Sequence, residues 1–258
     1  GYYTVMGFVR QIRWKWLLGI FKLKRLVDRL YGVRQLDFKE KVIFIRTSTL
    51  REYETRARSV AKEPDTVAWI KKNAALNSVL YDIGANVGAY SLIAGSLGMD
   101  VYAFEPTDYN VASLGMNIRL NNLDKRISII ACALGAEPAV VTFPLLDTSA
   151  GSSQGVYLGS AVRAQHSARI PISLLDHVRV TFNLPEPTAM KIDVDGGEVD
   201  VLVGAAKTLS LPSLRSVLVE SSNENKSRIV SLMEGHGFVL AGEVRMDAKT
   251  VNLLFDRV

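Results

Sequence analysis

The sequence has one cysteine, Cys132, in 258 residues. A single thiol excludes an internal disulfide and a zinc site built from several thiolates, and it suits a reducing compartment. Long apolar runs are also missing. In the N-terminal segment, Lys15 and Lys22 bracket only Trp16 to Phe21, far short of the ~20 apolar residues that span a bilayer, and no signal-type apolar region is visible. Glycine (19) and proline (8) stand at ordinary levels, which rules out collagen-like and low-complexity assemblies. The body of the chain also lacks an excess of basic charge. The formal net charge is +5, but residues 1–42 hold ten Lys/Arg against three acids, and the rest carries 21 basic and 23 acidic residues. A phosphate-tracking surface on the body is therefore not expected.

The basic segment is patterned. On a helical wheel of residues 5–31, Val9, Ile12, Trp16, Ile20, Leu23, Val27 and Leu30 form one stripe opposite Arg10, Gln11, Lys22, Arg25, Asp28 and Arg29. This predicts an amphipathic helix. Trp14, Leu17, Leu18 and Phe21 make its middle apolar nearly all round, so something is expected to cover it: an anionic membrane interface, a partner such as a second copy, or the protein's own body. Residues 41–47 read as a short strand. Thr49 with Glu52 reads as a capping box opening a helix to about Lys62, with Pro64 ending it and Asp65 capping a second helix. These features divide the chain into an N-terminal appendage, 1–62, and a body, 63–258.

In the body, β-rich runs at Val79–Ile83, Val101–Phe104, Ile127–Cys132, Met190–Val194 and Ser216–Val219 alternate with helical patterns at 88–97, 108–121, 197–209 and 224–235. This predicts an α/β fold, a mostly parallel Rossmann-like sheet with helices on both faces. Phe238–Val244 and Thr250–Phe255 read as a closing antiparallel hairpin, and Ala139–Leu145 and Ala168–Ser173 as two strands flanking a long Ser/Gly-rich segment at 147–160. His166 falls in that long loop and reads as solvent-facing, while His177 and His236 fall in helical patterns and read as structural.

The first body strand runs into Asp82-Ile83-Gly84-Ala85-Asn86-Val87-Gly88 and then a helix, a turn in which glycines permit close approach of a nucleotide-containing ligand. Asp82 is badly placed for a pyrophosphate and well placed for an ammonium group. Glu105 ends the next strand 23 residues later, where an acid accepts hydrogen bonds from ribose hydroxyls. A ribose at one carboxylate and an amine near the other describe S-adenosylmethionine and disfavour a dinucleotide. On the fourth strand, Lys191, Asp193 and Asp195 stand at i, i+2 and i+4, with Glu198 in the next helical turn. They share one face if the strand persists that far. Asp193 is the expected general base or substrate clamp, Lys191 its partner, Glu198 an orienting group for the acceptor, and Glu220 a second-line candidate. No metal ion is assigned to the site.

These residues resemble the FkbM-type methyltransferases. The resemblance rests on VLYDIGANVGAYSL (79–92), Glu105-Pro106 with Leu114, Asn117 and Asn121, the ALG at 133–135, KIDVDGGEVDVLVGA (191–205), and the pairs Glu63-Pro64 and Gly237-Phe238. It covers about residues 60–256. The family pattern is similar to Lys-Ile-Asp-Val-Glu-Gly, and Asp195 here replaces the Glu, shortening the reach of that carboxylate. The resemblance implies a class I methyltransferase fold, S-adenosylmethionine as donor, and O-methylation of a sugar, glycan, polyketide or similar small molecule. It further implies that Asp82, Gly84, Asn86 and Gly88 lie against the methionine and ribose portions, that Glu105 binds the ribose, and that Cys132 and Ala133 flank the adenine. The competing readings are an RNA methyltransferase, disfavoured because no Asn/Asp-Pro-Pro-aromatic motif follows the fourth strand, and a non-catalytic cofactor-binding scaffold docking through its N-terminal helix. The expected location is cytoplasmic, with peripheral contact on the inner membrane face or homodimer pairing as the two roles for that helix.

Overall fold

The computed structural model describes residues 32–47, 53–75, 77–145 and 166–258. The amphipathic helix expected over 5–31, the Thr49–Glu52 capping box and the Ser/Gly-rich segment at 147–160 lie outside the described residues. The elements begin with β1 (Val33–Gln35) and β2 (Phe44–Arg46), then a π-helical turn (Tyr53–Ala57), α1 (Ser59–Lys62) and α2 (Pro64–Asn73). β3 (Val79–Ile83), α3 (Ala89–Ser96), β4 (Asp100–Phe104), α4 (Asp108–Leu120) and β5 (Ile127–Ile130) follow. Next are β6 (Ala133–Leu134), β7 (Ala139–Leu145), β8 (His166–Ser173), α5 (Leu175–Thr181), β9 (Ala189–Ile192), α6 (Glu198–Val203) and α7 (Ala206–Leu209). β10 (Ser216–Ser222), α8 (Lys226–Gly235), β11 (Phe238–Arg245) and β12 (Thr250–Arg257) close the chain.

The main sheet has seven strands in the order β11-β12-β10-β9-β3-β4-β5. The run from β10 to β5 is parallel, and β12 pairs antiparallel with both β10 and β11. This is the class I methyltransferase arrangement with its C-terminal hairpin. Strand β3 is buried along its whole length, as a central parallel strand must be. Its alternation splits the core: Leu80 packs with Leu92, Ile93 and Val101 on one face, while Val79, Tyr81 and Ile83 pack with Leu175, Leu202 and Ile229 on the other. Asp82 shares the Leu80 face, as Lys191 shares that of Ala189, so both ionisable groups rise at the strand ends on the α2/α3 side.

Several expectations need correction. Pro64 does not merely stop a helix. It sits in the first turn of α2 with Glu63 at the N-cap position, because its fixed φ and missing N–H suit a helix start. Asp65 is one residue inside. The third parallel strand ends at Ile130 rather than Cys132, and the fourth at Ile192 rather than Val194. His166 opens β8, paired with Leu145, rather than lying in the loop. The helix expected over 197–209 is two helices, broken where the Gly204 carbonyl turns to accept the Asp176 N–H at 3.1 Å. Strands β6, β8 and β7 form a separate three-stranded sheet.

The described part of the N-terminal segment is not an appendage. Leu36, Phe38, Ile43, Ile45 and Ala57 are buried in the same cluster as Leu80 and Leu92. Two asparagines of α4 clamp β2 to the body. Asn121 accepts from Phe44 N–H (2.7 Å) and donates to its carbonyl (2.6 Å), while Asn117 accepts from Arg46 N–H (2.8 Å) and donates to the Val87 carbonyl (2.9 Å). Asn117 is fully buried. Replacing it with Ala orphans two backbone groups, each worth about 1–3 kcal/mol, so a loss of roughly 3 kcal/mol is expected in urea unfolding. A change below about 1 kcal/mol would show that water replaces both bonds.

Candidate active site

The turn after β3 is built by its own backbone. Gly84 has φ +85, and a Cβ there would meet the Asp193 carbonyl oxygen at 1.8 Å. The close approach that the glycine permits is thus between the ends of β3 and β9. Within the turn every N–H from 84 to 88 is used: those of Gly84 and Ala85 go to the Phe104 carbonyl, that of Asn86 to Glu105 Oε2, that of Val87 to Asn86 Oδ1 and that of Gly88 to the Ala85 carbonyl. No main-chain N–H is left there to cradle a pyrophosphate. Asn86, in the left-handed region at φ 53, spends its side-chain oxygen on this local turn.

What the turn does offer is negative charge. Asp82 is 1% exposed; its Oδ2 accepts from Ser91 Oγ at 2.5 Å, while Oδ1 makes no hydrogen bond and lies 3.9 Å from Lys191 Nζ. Burial raises its pKa against the pull of Lys191. An orphaned acceptor beside a loop with no spare main-chain donors fits a ligand that presents a cation. Glu105, also buried, accepts from Thr107 N–H (3.0 Å), Thr107 Oγ1 and Asn110 Nδ2 (3.2 Å) on Oε1, and from Asn86 N–H (2.9 Å) on Oε2. Oε2, with one partner, keeps a lone pair for a ligand hydroxyl. Cys132 and Ala133 lie past the end of β5, Cys132 half-buried with its thiol pushed up to about 11 by burial and Ala133 opening β6.

The charged cluster sits at the end of β9. Lys191, 2% exposed, lies 2.9 Å from Asp193 Oδ2 and 5.1 Å from the centre of the Tyr90 ring. Burial acts to lower its pKa, but Asp193, Asp82 and Glu63 outweigh burial and hold it above its ordinary value as an ammonium. For Asp193, burial acts to raise the pKa and the Lys191 charge and hydrogen bond overcome it, holding the carboxyl below its ordinary value. Its side chain is 26% exposed, so it faces an opening. Asp195 does not share the face of Lys191 and Asp193. Because β9 ends at Ile192, the chain leaves the pleat, and Asp195 takes φ 54 and is exposed. Glu198 is buried and turned back on its own loop, its Oε1 accepting from Gly196 N–H at 2.7 Å, which makes it a brace of the β9–α6 turn. Burial raises its pKa, opposed by the Gly196 N–H.

Sequence reasoning gave two residues here, Glu63 and Tyr90, no site role. Glu63 is 3% exposed at the start of α2; its Oε2 accepts from Thr66 Oγ1 at 3.1 Å, its Oε1 pairs with Lys62 at 2.7 Å, and its charge adds to burial in raising the pKa of the Tyr90 hydroxyl. The only signal available was the Glu63-Pro64 pair itself, far from the strand-end motifs. Among the described residues no group of three or more His, Cys, Asp or Glu is arranged to hold a metal ion, and no helix is long and apolar enough to cross a membrane.

The methyltransferase FkbM domain model matches residues 82–240. Hexuronic acid methyltransferase AglP of Haloferax volcanii is 27% identical over 165 residues, 64% of this chain and 64% of that protein, so the chain spans less than two thirds of that relative's length. Methyltransferase 1 of Beauveria bassiana is 24% identical over 187 residues, 65% of this chain and 74% of that protein. Among solved structures, a SAM-dependent methyltransferase from Agrobacterium tumefaciens has the same fold, with a TM-score of 0.52 and 11% identity over 88% of this chain and 71% of that one.

Proposed function

Because this chain belongs to the FkbM methyltransferase family, whose donor is S-adenosylmethionine, we propose that it methylates a hydroxyl oxygen of a sugar or glycan, with polyketide alcohols as the nearest other acceptors. The donor supplies an electrophilic methyl group on a sulfonium. The observation that supports an oxygen acceptor is Asp193, a carboxylate held by a buried lysine yet 26% exposed at the mouth of the strand-end crevice. The name of the Haloferax relative supports a sugar.

In this reading Asp82 Oδ1 faces the donor's ammonium, Gly84, Asn86 and Gly88 shape the turn against it, Glu105 Oε2 receives a ribose hydroxyl, and Cys132 and Ala133 border the adenine. Asp193 accepts the acceptor hydroxyl's hydrogen bond, Lys191 fixes Asp193, and Glu198 braces the β9–α6 turn. The basic N-terminal segment, residues 1–31, brings the protein to an anionic surface or pairs two copies. Removal of residues 1–31 that leaves both liposome sedimentation and oligomeric state unchanged would overturn that part.

S-Adenosylhomocysteine is expected to bind and NAD not, since residues 84–88 have no free N–H for a pyrophosphate. Titration calorimetry with both ligands checks this, and tight NAD binding would sink it. The acceptor class is tested with methyl-labelled donor against methyl hexuronides, neutral methyl hexosides, polyketide alcohols and RNA. Label in RNA alone would refute a small hydroxyl acceptor.

A further inference from the structure

We propose that Glu220 removes the acceptor's proton during methyl transfer, while Asp193, held by Lys191, orients the hydroxyl. This rests on the methyltransferase reading above and assigns the proton within it. The register between β9 and β10 ends at the pair Ile192 and Val219, so Glu220 rises beside Asp193 at about the ~4.8 Å spacing of neighbouring strands. Asp193 has its Oδ2 taken by Lys191, which makes it a dependable anion and a poor proton acceptor. Glu220 is half-buried on the same sheet face, and no hydrogen bond or ion pair to its carboxylate is seen among the described residues.

Across the next strand pair Glu220 stands opposite Asn252. Asn252 is 1% exposed; its Nδ2 reaches Thr66 Oγ1 at 3.3 Å and its Oδ1 has no partner among the described residues. Two acceptors side by side, neither supplied with a donor, mark a place for a proton or a ligand hydroxyl.

The groups that face Glu220 are Asp193 and Lys191 from β9, Glu63 and Lys62 from the α1–α2 junction, and Asn252 from β12. The Asp193 charge does most to push Glu220 up to about 8, with burial next and Glu63 adding, against Lys191 and Lys62. Below that pH Glu220 holds a proton; above it, it is a carboxylate matched to a neutral operating range. In the step itself the acceptor's O–H bond breaks, its proton goes to the Glu220 carboxylate, its oxygen forms the new bond to the methyl carbon, and the electron pair of the broken carbon–sulfur bond stays on sulfur.

S-Adenosylmethionine and S-adenosylhomocysteine differ by one methyl and its fixed positive charge, so their affinity ratio reports the charge facing that methyl without any acceptor present. Calorimetry on the full chain from pH 6.5 to 9.5 is expected to show the preference for S-adenosylmethionine rising through about pH 8, by about fivefold or more. Glu220→Gln should abolish the step with the melting temperature retained, and Asp193→Asn should move its midpoint to lower pH. A flat ratio in the parent protein, or the same step in Glu220→Gln, overturns the proposal while leaving donor binding intact. Failure of both ligands to bind would remove this proposal and the methyltransferase reading together.

Discussion

Asp193→Asn is expected to lower methyl transfer by about a hundredfold or more, the scale set by losing orientation of a reacting group, while affinity for S-adenosylhomocysteine stays near that of the parent. The separation follows from geometry. It is the Asp193 main-chain carbonyl, not its carboxylate, that packs under Gly84, and an amide of the same shape leaves that contact alone. The carboxylate instead meets Lys191 at 2.9 Å and the opening of the crevice. Single-turnover rates with labelled donor, measured beside S-adenosylhomocysteine affinity, check both halves. Parent-level turnover would take Asp193 out of the acceptor site, and a parallel collapse of affinity would make it part of the donor site.

Lys191→Met should destabilise the fold by about 3–5 kcal/mol near neutral pH, because it leaves buried carboxylates without their counter-ion. Asp82 and Asp193 lie 3.9 and 2.9 Å from its ammonium. The pH dependence has a definite sign. In the parent, Asp193 is held below its unfolded value, so its contribution is present above about pH 4 and is lost as pH falls through the folded value. Lys191, raised in the fold, contributes fully below its own unfolded value and loses that only in strong alkali. Without the lysine, burial raises both carboxylates above their unfolded values, so the folded state is penalised above about pH 4 and recovers as they take up protons. The deficit should therefore be larger at pH 8 than at pH 5 in urea unfolding. An equal deficit at both pH values would point to lost packing alone.

Much of the site was legible because parallel α/β sheets gather function at strand ends. Val79–Ile83 ends where expected, and Asp82, Glu105 and the Lys191–Asp193 pair each stand at the mouth of a strand recognisable from its apolar run. An apolar run followed at once by glycine and an acid is a local signal, read without knowing any partner strand. The same logic failed at Asp195. Alternation places it on the Asp193 face only if β9 continues, and β9 ends at Ile192, three residues before Asp195.

The sequence by itself determined the alternating α/β order, the turn that follows β3, the carboxylates at the strand ends and the closing hairpin, since periodicity and turn chemistry are properties of consecutive residues. Only the tertiary structure decided which of those groups meet. It packed Leu36, Phe38, Ile43, Ile45 and Ala57 into the core and clamped β2 with Asn117 and Asn121, joined β6, β7 and β8 into a second sheet, brought Glu63 near Tyr90, and set Glu220 between Asp193 and Asn252. Those contacts depend on strand register and on which helix face lies over which strand, and no local pattern encodes which residues far apart in the chain, up to 77 positions for Asn121 and Phe44, come together.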